Sequence, residues 1–140
     1  MTAEPPLVIG FLCHWCAYEG ADAAGRSRNE IPAGFRAVRV MCSGRVDPIM
    51  VLEAFQAGAE AVLILGCPEG DCHYHTGNLQ ARQRMGLIKS VLAAFGIDAE
   101  RIRLEWVAAG DGSRLAAAVA DAAAAVRRLG PLKRIDETGD

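Results

Sequence analysis

The sequence predicts an α/β fold with three layers, built on a four-stranded parallel sheet in the flavodoxin-like order 2-1-3-4. Four short apolar segments typical of strands alternate with longer segments whose apolar residues recur at helical spacing. With 140 residues, of which 51% are hydrophobic, the chain is long enough for one such domain. We expect residues 1–132 to form this domain and the polar residues 133–140 to form a flexible tail.

The four predicted strands differ in how apolar they are. Residues 7–12 and 61–65 contain no charged side chain, as expected of central parallel strands that are buried on both faces. Residues 37–41 and 102–107 are interrupted by charged side chains, which suits strands at the edges of a sheet. This difference underlies the predicted strand order.

Helix signals follow the strands. Asp47 and Pro48 are typical of an N-cap and the first residue of a helix that ends near Gly58. A segment of about residues 17–28 favours a weaker helix, because it contains two glycines. The predicted apolar faces are Ile49, Leu52 and Phe55 in the helix after Asp47, Leu87, Ile88, Val91, Leu92 and Phe95 in the next, and Leu115, Val119, Ala122, Val126 and Leu129 in the last.

Composition and charge exclude several classes of function. A formal net charge of -2 and a pI near 5.9 provide no positive field for nonspecific binding of nucleic acid. The longest apolar runs fall far short of the roughly 20 residues that span a bilayer. Residues 1–6 contain an acid and two prolines, unlike a signal peptide, so we expect a cytoplasmic protein. The odd count of 5 cysteines favours metal or redox chemistry over a disulfide framework.

Three cysteines directly follow predicted strands. Cys13 follows the first, Cys42 the second and Cys67 the third. The carboxyl ends of parallel strands meet at one edge of a sheet, where the connecting loops form the ligand crevice. Cys16 and Cys72 lie a few residues further along two of these loops. The sequence therefore predicts that five thiols converge on one site.

The cysteine spacing suits a metal centre. Four thiolates are enough for a 2Fe-2S cluster, a 4Fe-4S cluster or a structural zinc ion. Gly44, Gly66 and Gly70 allow backbone amides to approach bridging sulfides closely. These amides, and the positive charge of Arg45, would stabilise the reduced, more negative state of a cluster.

Other interpretations of these residues remain open. Cys13 and Cys16 have the spacing of a thioredoxin-like redox pair, and the cysteines also suit a structural zinc module. His73 and His75 allow a mixed cysteine and histidine cluster of the Rieske type, although they also suit hydrogen bonding to a cluster sulfur. Five arginines fit either an acidic partner or solvated helix faces: Arg26, Arg28, Arg45, Arg82 and Arg84.

Three separated motifs, in residues 10–16, 40–48 and 66–78, carry a resemblance to a known family. In these motifs and on through residues 103–106, the chain resembles the delta subunit of methyl-viologen-reducing hydrogenase. The resemblance implies a non-catalytic iron-sulfur subunit with a 2Fe-2S cluster. Such a protein relays electrons between a catalytic oxidoreductase, of the hydrogenase or formate dehydrogenase type, and the flavin-containing A subunit of heterodisulfide reductase. No glycine-rich dinucleotide fingerprint is present, so we expect no nucleotide to bind.

The resemblance also implies the site residues. The family's cysteine positions correspond to Cys13, Cys16, Cys42, Cys67 and Cys72 in this chain. Five thiols for four ligand places leave one spare, and we favour Cys13, Cys42, Cys67 and Cys72 as the ligands because three of them end strands and the fourth closes a short loop. Close to the cluster we expect Arg45, Gly44 and His73.

Overall fold

The fold is built on a sheet of four parallel strands. The computed structural model describes residues 6–13, 34–66, 77–108 and 111–132. The strands are β1 (Val8–Cys13), β2 (Phe35–Val40), β3 (Ala61–Gly66) and β4 (Ile102–Trp106). Their order is β2-β1-β3-β4, and every neighbouring pair is parallel. The predicted fold class and strand order are therefore confirmed.

Three helices and two short 3-10 helices complete the described structure. The helices are α1 (Pro48–Gln56), α2 (Gly77–Ala94) and α3 (Gly112–Leu129), and the 3-10 helices are Ser43–Arg45 and Ala99–Arg101. The predicted N-cap of α1 is confirmed, because the Asp47 carboxylate accepts a hydrogen bond from the Met50 amide at 2.9 Å. The weaker helix predicted for residues 17–28 and the tail at residues 133–140 lie outside the described residues.

The helices cover both faces of the sheet. Leu63 and Leu65 of β3 pack with α3 in one apolar core, whereas Val62 and Ile64 pack with α1 and α2 in a second core. This alternation follows from the period of two along a strand. The central strands β1 and β3 are almost wholly buried, and the edge strand β2 is largely exposed. The three predicted layers are present. None of the described helices has the combination of length and apolar character that a membrane span requires.

Two of the predicted helix faces need correction. In α1 the side chain of Ile49 is 65% exposed, and the buried residues are Val51, Ala54 and Phe55. Ile49 lies on the opposite side of the helix from these three, because successive residues are turned by about 100°. The face of α3 was predicted correctly, with Leu129 at its partly buried end.

The face of α2 was predicted correctly at Ile88 and Leu92, which are buried, but wrongly at Leu87 and Phe95. Leu87 is 58% exposed because it is turned away from the buried row of Ile88 and Leu92. Phe95, which is 51% exposed, follows Ala94, the last residue of the helix, and so no longer belongs to the helical face.

A buried arginine connects three segments at the end of the sheet where β3 and β4 begin. Arg101 is 5% exposed and donates hydrogen bonds to the backbone oxygens of Glu60, at 3.0 Å, and Gly130, at 2.6 Å. Glu60 precedes β3 and Gly130 follows α3, so one side chain ties together three segments that are far apart in the sequence. The cysteine edge of the sheet lies at the other end of the strands.

Candidate functional site

Two cysteines lie at the carboxyl edge of the sheet, as predicted. Cys13 is the last residue of β1 and is paired with Val40 of β2, two residues before Cys42. The Sγ of Cys13 lies 4.0 Å from the backbone oxygen of Met41. Cys13 is 1% exposed and Cys42 is 5% exposed, and both belong to the apolar core that packs against α3. The strand register therefore brings these two thiols together in a buried position.

Several predicted site residues lie outside the described residues: Cys16, Cys67, Cys72, His73 and His75. Gly66, at the end of β3, is the last described residue before Cys67, and it lies at the same sheet edge as Cys13. Within the ranges that the structure describes, no three histidine, cysteine or acidic side chains gather as a metal site would require.

The segment after β2 presents the Cys42 thiol to backbone donors. Cys42 is the N-cap of the 3-10 helix Ser43–Arg45, and its Sγ accepts a hydrogen bond from the Gly44 amide at 3.5 Å. An amide directed at sulfur favours a negatively charged thiolate over a neutral thiol. This backbone geometry suits Cys42 to a role as a metal ligand.

The Cys42 segment is fixed against α2. The guanidinium Nη1 of Arg84 donates to the backbone oxygens of Gly44, at 2.5 Å, and Val46, at 2.8 Å. A Cβ atom at Gly44 would lie only 2.8 Å from the backbone oxygen of Gly77, so a glycine is required for this close approach. Arg84 was grouped with arginines that fit an acidic partner or a solvated face, whereas in the structure it holds the chain's own backbone.

A cavity of about 250 Å³ adjoins Cys42. Among the described residues it is lined by Cys42, Gly44, Arg45, Gly77 and Gln80. Arg45 is exposed, so its positive charge lies beside a thiol that is itself buried. The cavity therefore brings a cysteine residue and an exposed cation together.

The sequence did not predict the roles of two residues that shape this site, Arg84 and Ser43. Ser43 is 1% exposed, and its hydroxyl has no hydrogen-bond partner in the part of the chain that the structure describes. The only sequence signal for Ser43 was its place within residues 40–48. Arg84 gave no local signal, because it acts on backbone groups about 40 residues away.

The chemistry of this site fits a sulfur-ligated metal centre. Two buried thiols lie here with an amide that donates to sulfur and with a buried hydroxyl that no described residue satisfies, so hydrogen-bond donors are available to negative sulfur. A thiol that attacks disulfides has to be accessible to its substrate. Cys13 is buried and so does not suit the attacking role, while Cys16, the other member of the dithiol alternative, lies outside the described residues.

Comparison with known proteins identifies similar sequences over nearly the whole chain. Residues 8–130 match the family model described as methyl-viologen-reducing hydrogenase, delta subunit. The vhc iron-sulfur D subunit of the F420-non-reducing hydrogenase of Methanococcus voltae is 41% identical over 134 residues, covering 96% of this chain and 93% of that protein. The iron-sulfur D subunit of the F420-non-reducing hydrogenase of Archaeoglobus profundus is 42% identical over 128 residues, covering 91% and 93%.

Another relative contains a segment similar to this chain, which we call the unit, within a much longer polypeptide. The A subunit of the ferredoxin:CoB-CoM heterodisulfide reductase of Methanosarcina mazei is 39% identical over 130 residues. The match covers 93% of this chain but only 16% of that protein. The unit therefore occurs both as a separate protein and as a segment of a larger polypeptide.

Proposed function

Because the chain belongs to the family of the delta subunit of methyl-viologen-reducing hydrogenase, we propose that it is an electron-transfer subunit of an oxidoreductase complex. We propose further that it holds a 2Fe-2S cluster and relays electrons between a catalytic oxidoreductase and a flavoprotein similar to the A subunit of heterodisulfide reductase. The catalytic partner is of the hydrogenase or formate dehydrogenase type. The observation that carries this proposal is the pair of buried thiols at one sheet edge in a chain whose relatives are named iron-sulfur subunits.

The relatives support the choice of partners. The same unit is a separate hydrogenase protein in Methanococcus voltae and part of the heterodisulfide reductase polypeptide in Methanosarcina mazei. Its inclusion in that longer polypeptide indicates that the unit works beside the rest of the same protein. We therefore propose that the separate chain docks onto a partner of the heterodisulfide reductase kind.

The ligand set is proposed as four of the five cysteines. Cys13 and Cys42 are the two that the structure describes, and Cys67 and Cys72 complete the preferred set, with Cys16 as the spare. Such a centre would supply a site that takes up and releases one electron. Thiolate ligands also suit the reducing conditions of the cytoplasm, which we propose as the compartment.

The chain's own residues set the conditions at the site. The amide of Gly44 stabilises negative charge on the sulfur of Cys42, and burial keeps water away from both described thiols. The charge of Arg45, at the edge of the cavity, further stabilises the reduced state. Arg84 keeps the Cys42 segment in one geometry, so that little rearrangement accompanies electron transfer.

The first test of this proposal is metal analysis of protein purified without oxygen. We expect about two irons and two acid-labile sulfides per chain, with visible absorption bands that bleach under dithionite. A colourless protein that contains zinc would support the structural zinc module and contradict the relay. A colourless protein without metal, whose thiols exchange with a disulfide substrate, would support the dithiol.

A series of cysteine-to-serine variants tests the ligand set. We expect the iron content to fall in the variants Cys13→Ser, Cys42→Ser, Cys67→Ser and Cys72→Ser, because each removes a thiolate ligand. Cys16→Ser is the matched control and should keep about two irons per chain. Equal iron loss at all five positions would contradict the existence of a spare cysteine.

The proposed partner is tested by direct electron transfer. The reduced protein is mixed without oxygen with a purified flavoprotein of the heterodisulfide reductase type, and flavin absorbance is followed. We expect the flavin to be reduced at the expense of the reduced iron-sulfur signal. If the iron-sulfur protein is intact but the flavin stays oxidised, this choice of partner is wrong while the cluster assignment stands.

A further inference from the structure

Ser43 has a hydroxyl group that nothing in the described structure satisfies. The side chain is 1% exposed, and its Oγ has no hydrogen-bond partner among the residues that the structure describes. Buried hydroxyls nearly always have a partner, and an exception calls for a specific explanation, such as a role at a redox site or an absent ion. The position of Ser43 indicates which explanation applies.

Ser43 lies between two segments that carry cysteines. It directly follows Cys42, whose Sγ accepts the hydrogen bond from the Gly44 amide. It also packs against the end of β3, because a Cβ atom at Gly66 would lie 2.6 Å from the Ser43 Oγ and 3.0 Å from its Cβ. The hydroxyl is thus enclosed at the sheet edge where the described thiols lie.

The surroundings prevent the hydroxyl from turning to solvent. Arg84 fixes the backbone on either side of Arg45, and Gly44 is in close contact with the start of α2. The neighbouring Cys42 belongs to an apolar core, which offers few polar acceptors. The described residues therefore supply no acceptor for this hydroxyl, and negatively charged sulfur is the acceptor that a metal centre held by Cys42 would bring.

We propose that the Ser43 hydroxyl donates a hydrogen bond to a sulfur atom of the iron-sulfur centre that Cys42 helps to hold, and that it raises the reduction potential of this centre. The inference rests on the proposed function and assigns Ser43 as a positioning and tuning residue. A donor to sulfur stabilises the reduced, more negative state more than the oxidised state. Ser43 thereby adds to the effect of the Gly44 amide on Cys42.

The test is the variant Ser43→Ala in protein that carries its iron-sulfur centre. We expect the iron content to match the wild type and the midpoint potential to shift to a more negative value, measured by redox titration with electron paramagnetic resonance detection. In hydrogen and deuterium buffers, electron-nuclear double resonance should show that the variant has lost one strongly coupled exchangeable proton. A purely structural serine would not produce this loss.

Urea unfolding of the metal-free protein provides a second test, in which we expect removal of the hydroxyl to stabilise the fold. Without the centre the hydroxyl is a buried donor with no acceptor, so Ser43→Ala should unfold at a higher urea concentration than the wild type. Ser90→Ala is the matched control, because Ser90 is exposed on α2 and bonds within its own helix. In protein that carries its iron-sulfur centre, Ser90→Ala should leave the midpoint potential and the exchangeable proton couplings unchanged.

Three results would overturn the inference. If the wild type carries an iron-sulfur centre but Ser43→Ala changes neither its potential nor its exchangeable proton couplings, Ser43 does not bond to sulfur and the proposed relay is unaffected. If metal-free Ser43→Ala is instead less stable than the wild type, the hydroxyl has a partner of another kind. A wild type that binds no iron and sulfide would refute both the relay and this inference.

Discussion

At the scale of single residues, Arg84 has the most evident effect on the site. One guanidinium nitrogen serves the backbone oxygens of Gly44 and Val46, which follow Cys42 in the sequence. The planar guanidinium presents several donors in a fixed geometry, whereas a lysine ammonium is a flexible point charge. Arg84 thus fixes the Cys42 segment from the side of a helix that itself contains no cysteine.

We expect Arg84→Ala to lower the free energy of unfolding of the metal-free protein by about 2 kcal/mol, because two backbone oxygens lose a charged donor. The variant should also lose iron faster to a chelator, since the Cys42 segment is no longer fixed. Urea unfolding and iron release measure the two effects. Arg127→Ala, at an exposed position of α3, is the control and should change neither. Iron release at the wild-type rate would contradict this role for Arg84.

The sequence predicted the site in part, for reasons that lie in particular residues. Cys13 and Cys42 could be placed at one edge because each lies at or just after the carboxyl end of a strand, and parallel strands align these ends. Arg84 and Ser43 could not be found in this way. Arg84 acts on groups about 40 residues away, and the burial of Ser43 depends on the approach of Gly66, neither of which leaves a periodic pattern.

At the scale of the elements, α1 and α2 show which helix features a sequence specifies. The N-cap at Asp47 is local chemistry, and the sequence predicted it correctly. The buried side of the helix depends on where the sheet lies, so helical spacing alone placed Ile49 and Leu87 wrongly. Strands were easier to predict because an uninterrupted apolar run, such as that of β3, is buried on both faces.

We expect Asp47→Ala to destabilise the protein by about 1 kcal/mol, because the Met50 amide loses its acceptor at the start of α1. Asp47→Asn keeps an acceptor oxygen and should have a much smaller effect. Urea unfolding of both variants provides the comparison. Equal destabilisation by the two substitutions would show that the charge of Asp47, and not its hydrogen bond, is what matters.

Substitution by alanine should have opposite effects on stability at Gly86, which lies within α2, and at Gly44, which contacts the start of α2. Gly86 lies inside the helix with no atom within 4 Å of an added Cβ, so Gly86→Ala should stabilise the protein by about 0.5 to 1 kcal/mol. Gly44→Ala would place its Cβ 2.8 Å from the backbone oxygen of Gly77 and should destabilise the protein and weaken iron binding. Urea unfolding and iron analysis measure both changes. A stabilising Gly44→Ala would contradict the close packing at this position.

At the scale of the whole molecule, the two ends of the sheet carry different kinds of residues. Cys13 and Cys42 lie where the strands end, whereas Arg101 joins segments where β3 and β4 begin. The same sheet therefore separates the region of the proposed iron-sulfur site from a region in which a buried side chain joins distant segments. Substitutions at the two ends should be distinguishable by experiment.

We expect Arg101→Ala to lower the free energy of unfolding by about 3 kcal/mol, because the backbone oxygens of Glu60 and Gly130 both lose a charged donor in a buried position. At temperatures where the variant stays folded, its iron content and midpoint potential should equal those of the wild type. Calorimetry or urea unfolding measures the first effect, and redox titration the second. A shifted potential would show that the two ends of the sheet are coupled.

The pairing of β1 with both β2 and β3 bears on when the proposed iron-sulfur cluster can be inserted during synthesis. Cys13 is synthesised before β2 and β3, so β1 lacks one of its two neighbouring strands until the chain has been made through β3. The thiols of Cys13 and Cys42 therefore approach each other only after distant segments have paired, which is slower than the closing of a local turn. A newly made chain would present scattered single thiols to an iron-sulfur donor, and the folded sheet would be the form that it loads.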